Sequence, residues 1–303
     1  MFRKILVPLD GSELAERAVP YARRLAGVVG RLVLVRAIQG DDREALDEAE
    51  TYLSAFADRL QQDGSAAEWR LYYGPAPEGI KKEAGLQRAD AIVMSTHGRS
   101  GVQRLVFGSV AEHVLREADV PVLLIPARTP AAWHASAGQQ VVVPLDGSDI
   151  SEAALEPAIA LAGRLGASLL LVGVVESLDL TPLAYEIYVP EPSSDLQHEM
   201  EVYLDAVAAR VRQRGLKVAT QLDVGQPAQT IAGLAAQADT AAVALATHGR
   251  GGLALLLMGS VTTDLVRHAA APLFVIRPAS RQRVALRLAV ERHGLPTLAG
   301  GVM

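Results

Sequence analysis

The sequence predicts an α/β protein made of two tandem, doubly wound, five-stranded parallel sheets. Three observations carry this. The 303-residue chain repeats itself once. Each repeat alternates short apolar runs with stretches of helical periodicity. The runs are continuous in Val, Ile and Leu rather than alternating with polar residues, as expected of parallel strands covered on both faces.

The repeat is read first. Lys4 to Ser12, KILVPLDGS, returns as QVVVPLDGS from Gln140 to Ser148, a shift of 136. One added residue makes the shift 137, so Pro20 matches Pro157 and Leu32–Val35 matches Leu169–Val172. A further 14 residues bring it to 151, where Gly74 matches Gly225, Ile80 matches Ile231 and Pro121 matches Pro272. At the same shift Thr96-His97-Gly98-Arg99 matches Thr247-His248-Gly249-Arg250, and Gly108-Ser109-Val110 matches Gly259-Ser260-Val261.

In the first copy Ile5–Leu9, Arg31–Ala37, Ala67–Tyr73, Ala91–Ser95 and Pro121–Pro126 read as strands. Ser12–Ala26, Asp41–Gln62, Ala76–Gly85 and Ser109–Ala118 read as the helices between them. Their Gly, Pro and Asp boundaries and short lengths separate the strands from buried helix. The expected organisation is a first domain over 1–127, a linker over 128–138, a second domain over 139–278 and a tail over 279–303. The 14 extra residues of copy two fall around Ser177–Pro190 and read as a long loop on the ligand side. The tail carries a basic helical stretch (Arg281, Arg283, Arg287, Arg292), either a surface helix fading into disorder or a partner-binding or lid segment.

Composition excludes several classes. The net charge is −5 and the sequence pI is about 5.8, so no global basic field points to nucleic acid or an anionic membrane. There is no cysteine, which removes disulfides, thiolate metal sites and a cysteine nucleophile. No apolar run approaches the roughly 18 residues of a membrane span, and the start shows no long apolar signal region. A cytoplasmic location is the expectation.

The strongest chemical signal follows the fourth strand of each copy. Nine residues separate Gly98 from Gly108-Ser109, and nine separate Gly249 from Gly259-Ser260. Glycines let backbone N–H groups approach phosphate oxygens without a Cβ in the way. The second glycine and its serine open a helix whose free N–H groups favour an anion, and Arg99 and Arg250 add charge beside it. Ser109 followed by Glu112 also forms a capping box, so its hydroxyl could serve the helix alone. Asp10 and Asp146, at the end of strand one, either accept hydrogen bonds from a ribose or adenine amine or close an Asp-Gly-Ser turn into a helix. His97 and His248 either touch phosphate or bond nearby backbone. There is no P-loop lysine motif, no G-x-G-x-x-G after the first strand, no H-E-x-x-H and no nucleophile elbow. Neither catalytic nor metal residues emerge.

The Pro-Leu-Asp-Gly-Ser start combined with the Thr-His-Gly-Arg … Gly-Ser-Val loop resembles the universal stress protein (UspA) family, over nearly the whole chain and in tandem form. The resemblance implies the Rossmann-like fold of adenine nucleotide alpha hydrolases. It also implies the G-x2-G-x9-G-[S/T] signature of an ATP-binding branch. By position, Gly98 with Gly108, Ser109 and Val110, and Gly249 with Gly259, Ser260 and Val261, would hold phosphates with His97, Arg99, His248 and Arg250 beside them. Asp10 and Asp146, after Pro8 and Pro144, would lie by the adenosine, and backbone at Ala37 and Val174 would meet the adenine edge. The sequence departs from the signature at its first glycine, which is Ser95 in copy one and Ala246 in copy two. Leu255 also replaces Arg104, so the second site is expected to hold triphosphate more weakly. The resemblance further implies pairing of the copies through Val120–Ile125 and Leu273–Ile276, and a homodimer of tandem chains.

Three functions stay open on the sequence. The first is an ATP-binding stress-response regulator, a sensor or scaffold with one site per domain and Mg²⁺ accompanying ATP. The second is a slow ATP-hydrolysing or adenylate-forming enzyme, for which only Arg99, Arg104, Arg250 and the histidines could stabilise transition-state charge. The third is a protein-interaction module that binds no nucleotide and serves an unknown protein partner.

Overall fold

The structure is a computed structural model that describes residues 2–40, 43–96, 108–133, 138–176, 194–247 and 260–278. In the first half β1 (Lys4–Pro8), β2 (Arg31–Ile38), β3 (Ala66–Tyr73), β4 (Ala91–Ser95) and β5 (Val122–Ile125) alternate with α1 (Glu13–Glu16), α2 (Ala18–Ala26), α3 (Arg43–Gln62), α4 (Ala76–Leu86) and α5 (Ser109–Glu117). The second half repeats the order. Its strands are β6 (Gln140–Pro144), β7 (Ser168–Glu176), β8 (Val218–Gly225), β9 (Thr240–Ala246) and β10 (Leu273–Ile276). Its helices are α6 (Asp149–Glu152), α7 (Leu155–Leu165), α8 (Ser194–Arg212), α9 (Pro227–Ala235) and α10 (Ser260–His268). The insertion around Ser177–Pro190 and the 279–303 tail lie outside the described residues.

The sequence pattern anticipates one helix over Ser12–Ala26, and the chain forms two. Pro20 sits in the first turn of α2 and has no N–H to offer the carbonyl of Glu16, so the ladder breaks at Arg17. Pro157 divides α6 from α7 in the same way.

Within each half the strands are parallel and β1 or β6 is central. The two halves meet edge to edge, giving one ten-stranded sheet in the order β3-β2-β1-β4-β5-β10-β9-β6-β7-β8. The antiparallel seam between them pairs Leu124 with Leu273, Leu123 with Phe274 and Val122 with Val275. All six are at most 2% exposed. The two five-stranded sheets therefore hide each other's apolar edges, the expected fifth-strand pairing. Phe2 reinforces the seam by packing edge-on to Phe274, with centroids 6.0 Å apart.

One helical layer, α2, α3, α7 and α8, buries Leu25, Leu53, Leu161 and Leu204 against the sheet. The other, α4, α5, α9 and α10, buries Ile80, Leu115, Ile231 and Leu265. Both cores run across the seam. The connecting chain after β5 is fastened on both sides. Arg17 donates to the carbonyls of Ala127, at 2.7 Å, and Thr129, while the Tyr21 hydroxyl donates to the Pro130 carbonyl at 2.5 Å. Trp133 stacks edge-on against Tyr21 at 5.0 Å and donates its indole N–H to the Ala241 carbonyl in β9 at 2.6 Å.

Candidate functional site

In an open parallel sheet the crevice for a ligand lies beyond the carboxyl ends of the strands, where the strand order reverses. Here that point falls between β1 and β4, and between β6 and β9. Pro8 and Pro144 end the central strands, and Asp10 and Asp146 follow two residues later. Ala37 and Val174 lie near the same ends of β2 and β7 and are half-buried.

Asp10 is committed to local structure. Its Oδ1 accepts from the Ser12 amide at 2.9 Å and the Ser12 hydroxyl at 2.6 Å. Ser12 is in turn the N-cap of α1, accepting from the Ala15 amide at 3.2 Å. Gly11 between them has φ +84°, the left-handed region that glycine enters without penalty. Copy two repeats the device. Asp146 Oδ1 accepts from Ser148 N and Oγ at 3.0 and 2.6 Å, Ser148 caps α6, and Gly147 has φ +78°. The turn-closing alternative is thus realised in both copies. It fixes the carboxylate at the mouth of the crevice.

The other flank is the start of α5. The Gly108 amide donates to the Thr96 carbonyl at 3.1 Å, which sets the start of α5 against the end of β4. The N-cap is Gly108, and among the described residues no side chain caps it. The capping-box expectation therefore fails: Ser109 is the first helical residue, exposed, and Glu112 bonds through its amide to the Gly108 carbonyl at 3.0 Å. Gly108 has φ −66° and ψ 131°, which any residue adopts. Ser, Asp or Asn would cap the helix a few tenths of a kcal/mol better there. With glycine there, the N-cap itself offers no side chain to the first-turn amides. In copy two Ser260 opens α10 and Val261 follows, half-buried. His97, Gly98, Arg99, His248, Gly249, Arg250 and Gly259 lie outside the described residues.

One cluster escaped the sequence reading. The Tyr52 hydroxyl donates to Glu16 Oε1 at 2.8 Å, and burial, with Glu16 and then Asp10 adding to it, pushes its pKa well above the usual phenol value. Arg36, 7% exposed, stacks over the Tyr52 ring at 5.5 Å and stands 3.6 Å from Glu48, with its Nη1 unbonded among the described residues. Tyr203 repeats Tyr52 beside Glu152, and burial raises its pKa likewise. Glu152 is instead paired with Arg210 at 2.7 Å, and Gly173 stands where Arg36 does. The signal was present: Tyr52 and Tyr203 recur at the shift of 151, Glu16 and Glu152 at 136. Among the described residues no group of three His, Asp or Glu could hold a metal ion, and no helix is long and apolar enough to cross a membrane.

A universal stress protein of Mycobacterium tuberculosis is 32% identical over 197 residues, 62% of this chain and 62% of that protein. The chain thus spans about three fifths of the length of the curated relatives it matches. The crystal structure of a universal stress protein from Archaeoglobus fulgidus superimposes over 92% of this chain and 98% of its own, with a TM-score of 0.67 and 21% identity. A universal stress protein solved in complex with cAMP covers 41% of this chain and 96% of its own, with a TM-score of 0.35 and 24% identity. The profile of the Universal stress protein family matches twice, at residues 1–126 and 138–277. The chain therefore belongs to the universal stress protein family, as a tandem pair of its domains.

Proposed function

We propose that this protein is an ATP-binding stress-response regulator with one nucleotide site per domain, acting as a sensor or scaffold. The observation that carries the reading is the bare glycine N-cap of α5. It lies at the strand-order reversal beside the Asp10 turn, and the sequence repeats both features in the second half. A nine-residue helix with open first-turn amides favours an anion, and a Cβ at Gly108 would crowd an approaching phosphate.

In this reading the amides of Ser109 and Val110, the Ser109 hydroxyl and the glycines 98 and 108 hold phosphates. Asp10 accepts from the ribose, and backbone at Ala37 meets the adenine edge. Gly249, Gly259, Ser260, Val261, Asp146 and Val174 do the same in the second domain, with His97, Arg99, His248 and Arg250 contributing at the loops. Bound ATP supplies a polyanionic chain whose charge Mg²⁺ offsets. Pro8 and Pro144 end the strands at which Asp10 and Asp146 are presented. Cellular ATP near 1 mM fills any site tighter than roughly −4 kcal/mol, so regulation requires that the loaded form present a different surface. A cytoplasmic location and a homodimer of tandem chains complete the proposal.

The test is calorimetric titration of ATP with Mg²⁺ into the wild type and a Gly108→Val/Gly259→Val variant, with ADP, AMP and cAMP for comparison. Micromolar binding approaching two sites per chain, lost in the variant, is expected. Absence of heat up to millimolar ATP would replace this reading with the protein-interaction module.

A further inference from the structure

We propose that the second half carries a separate binding site for a small arylalkylamine, on the outer face between α8 and β8. A cavity of about 280 Å³ opens there, lined by Glu201, Leu204, Asp205, Thr220 and Leu222. The lining follows from periodicity. Thr220 and Leu222 are two apart on β8 and share a face. Glu201, Leu204 and Asp205 are three and four apart on α8 and share a face. Leu204, 1% exposed, closes the bottom and Leu222, half-buried, forms the apolar part of the wall, while the two carboxylates stand exposed at the rim.

The first half is an internal control for what the cavity accommodates. Thr220 corresponds to Trp69, Leu222 to Leu71, Leu204 to Leu53, Glu201 to Glu50 and Asp205 to Ser54. The strands match in register, since Leu34 pairs with Trp69 as Leu171 pairs with Thr220. The helices match too: Gln61 reaches the Ala67 carbonyl at 2.8 Å as Arg212 reaches that of Val218 at 3.3 Å. In copy one the Trp69 indole packs half-buried against the core. Copy two removes the indole and, one helical position away, adds a carboxylate. Asp205 accepts from the Thr220 hydroxyl at 3.3 Å, which ties the added acid to the cavity wall.

Those two differences together describe a ligand. A flat body of indole size takes the place of the missing side chain beside Thr220 and Leu222, and a cationic nitrogen meets Asp205 and Glu201. The volume lies just below the usual range of small-molecule pockets, which limits the ligand to one bicyclic ring and a short chain. The floor has little give. A Cβ on Gly173 beneath it would come within 2.9 Å of Met200 Cγ, 3.1 Å of Leu204 Cδ1 and 3.2 Å of Leu222 Cδ1.

The probe is tryptamine, titrated calorimetrically and by ligand-observed NMR into the full chain at low salt. Saturable binding is expected, about tenfold weaker for indole lacking the amine and weaker at high ionic strength. Thr220→Trp restores the first half's residue and should abolish saturation. Asp205→Ser, also the first half's residue, should weaken binding about tenfold, and circular dichroism should find both variants folded. If Thr220→Trp does not fold, Asp205→Ser and the indole comparison still decide. No saturation up to 10 mM tryptamine, or equal affinity for wild type and Asp205→Ser, would overturn the proposal.

Discussion

Replacing Tyr21 by Phe should destabilise the protein at neutral pH and cease to do so at alkaline pH. Tyr21 is 1% exposed, its hydroxyl donates to the Pro130 carbonyl at 2.5 Å, and its ring meets Trp133 at 5.0 Å. Near pH 7 Tyr21→Phe keeps the ring contact and orphans one carbonyl, a loss of about 1 kcal/mol. Burial pushes the Tyr21 pKa up from 10.0 to about 12, with Arg17 opposing. A folded-state pKa above the unfolded one gives stability that is whole below pH 10 and lost as pH rises through about 12. At pH 11 the unfolded chain is mostly ionised at this position and the folded chain mostly is not. One unit of that gap is on the order of 1.4 kcal/mol. The wild type should therefore be the more stable protein at pH 7 and should lose its advantage near pH 11. Urea unfolding followed by circular dichroism at pH 7, 9, 10 and 11 measures this. Tyr52 and Tyr203, also raised, contribute equally to both proteins and cancel in the difference. A stability difference independent of pH would refute the buried-phenol account of the connecting segment.

Three further outcomes follow from single contacts. Arg36→Met should leave stability unchanged or raise it by about 1 kcal/mol, because an incompletely bonded buried cation costs desolvation that a similar apolar volume does not; a loss above about 2 kcal/mol in thermal unfolding would show that Arg36 is fully paired. Asp10→Asn keeps an oxygen to accept from Ser12 and should cost under about 1 kcal/mol, whereas Asp10→Ala removes both contacts and should cost about 1–3 kcal/mol. ATP affinity should fall in both, and an Asp10→Asn protein with wild-type affinity would reduce Asp10 to a turn residue. Phe274→Ala, at a fully buried seam position, should cost about 3–5 kcal/mol, and both halves should melt together because the two cores cross the seam; separate transitions in calorimetry would contradict that.

The fold was legible because the duplication doubled every weak signal. Val141-Val142-Val143 and Leu169-Leu170-Leu171 are strands by composition, and their counterparts Ile5-Leu6-Val7 and Leu32-Val33-Leu34 agree. Element ends moved by a residue or two, and the helix after β1 split, because Pro20 and Pro157 remove one amide that periodicity does not weigh. Asp10 and Asp146 were legible as functional or turn residues, and geometry filled the turn role in both copies. The capping-box alternative for Ser109 failed because the residue before it, Gly108, takes the N-cap. The Tyr52–Glu16 contact was missed although both residues recur in copy two, because recurrence alone does not say that residues 36 apart, on α1 and α3, meet. The fastening of the connecting segment by Arg17, Tyr21 and Trp133 was hidden likewise, since Ala153 and Ala158 stand at the matching places of copy two and no repeat points to it.

The most direct test of the nucleotide reading is to purify the chain without added nucleotide, denature it, and identify what is released by chromatography and mass spectrometry. An adenine nucleotide approaching two per chain, absent from the Gly108→Val/Gly259→Val variant, is the predicted result. A wild-type protein that releases no nucleotide and takes up none from millimolar ATP would contradict it.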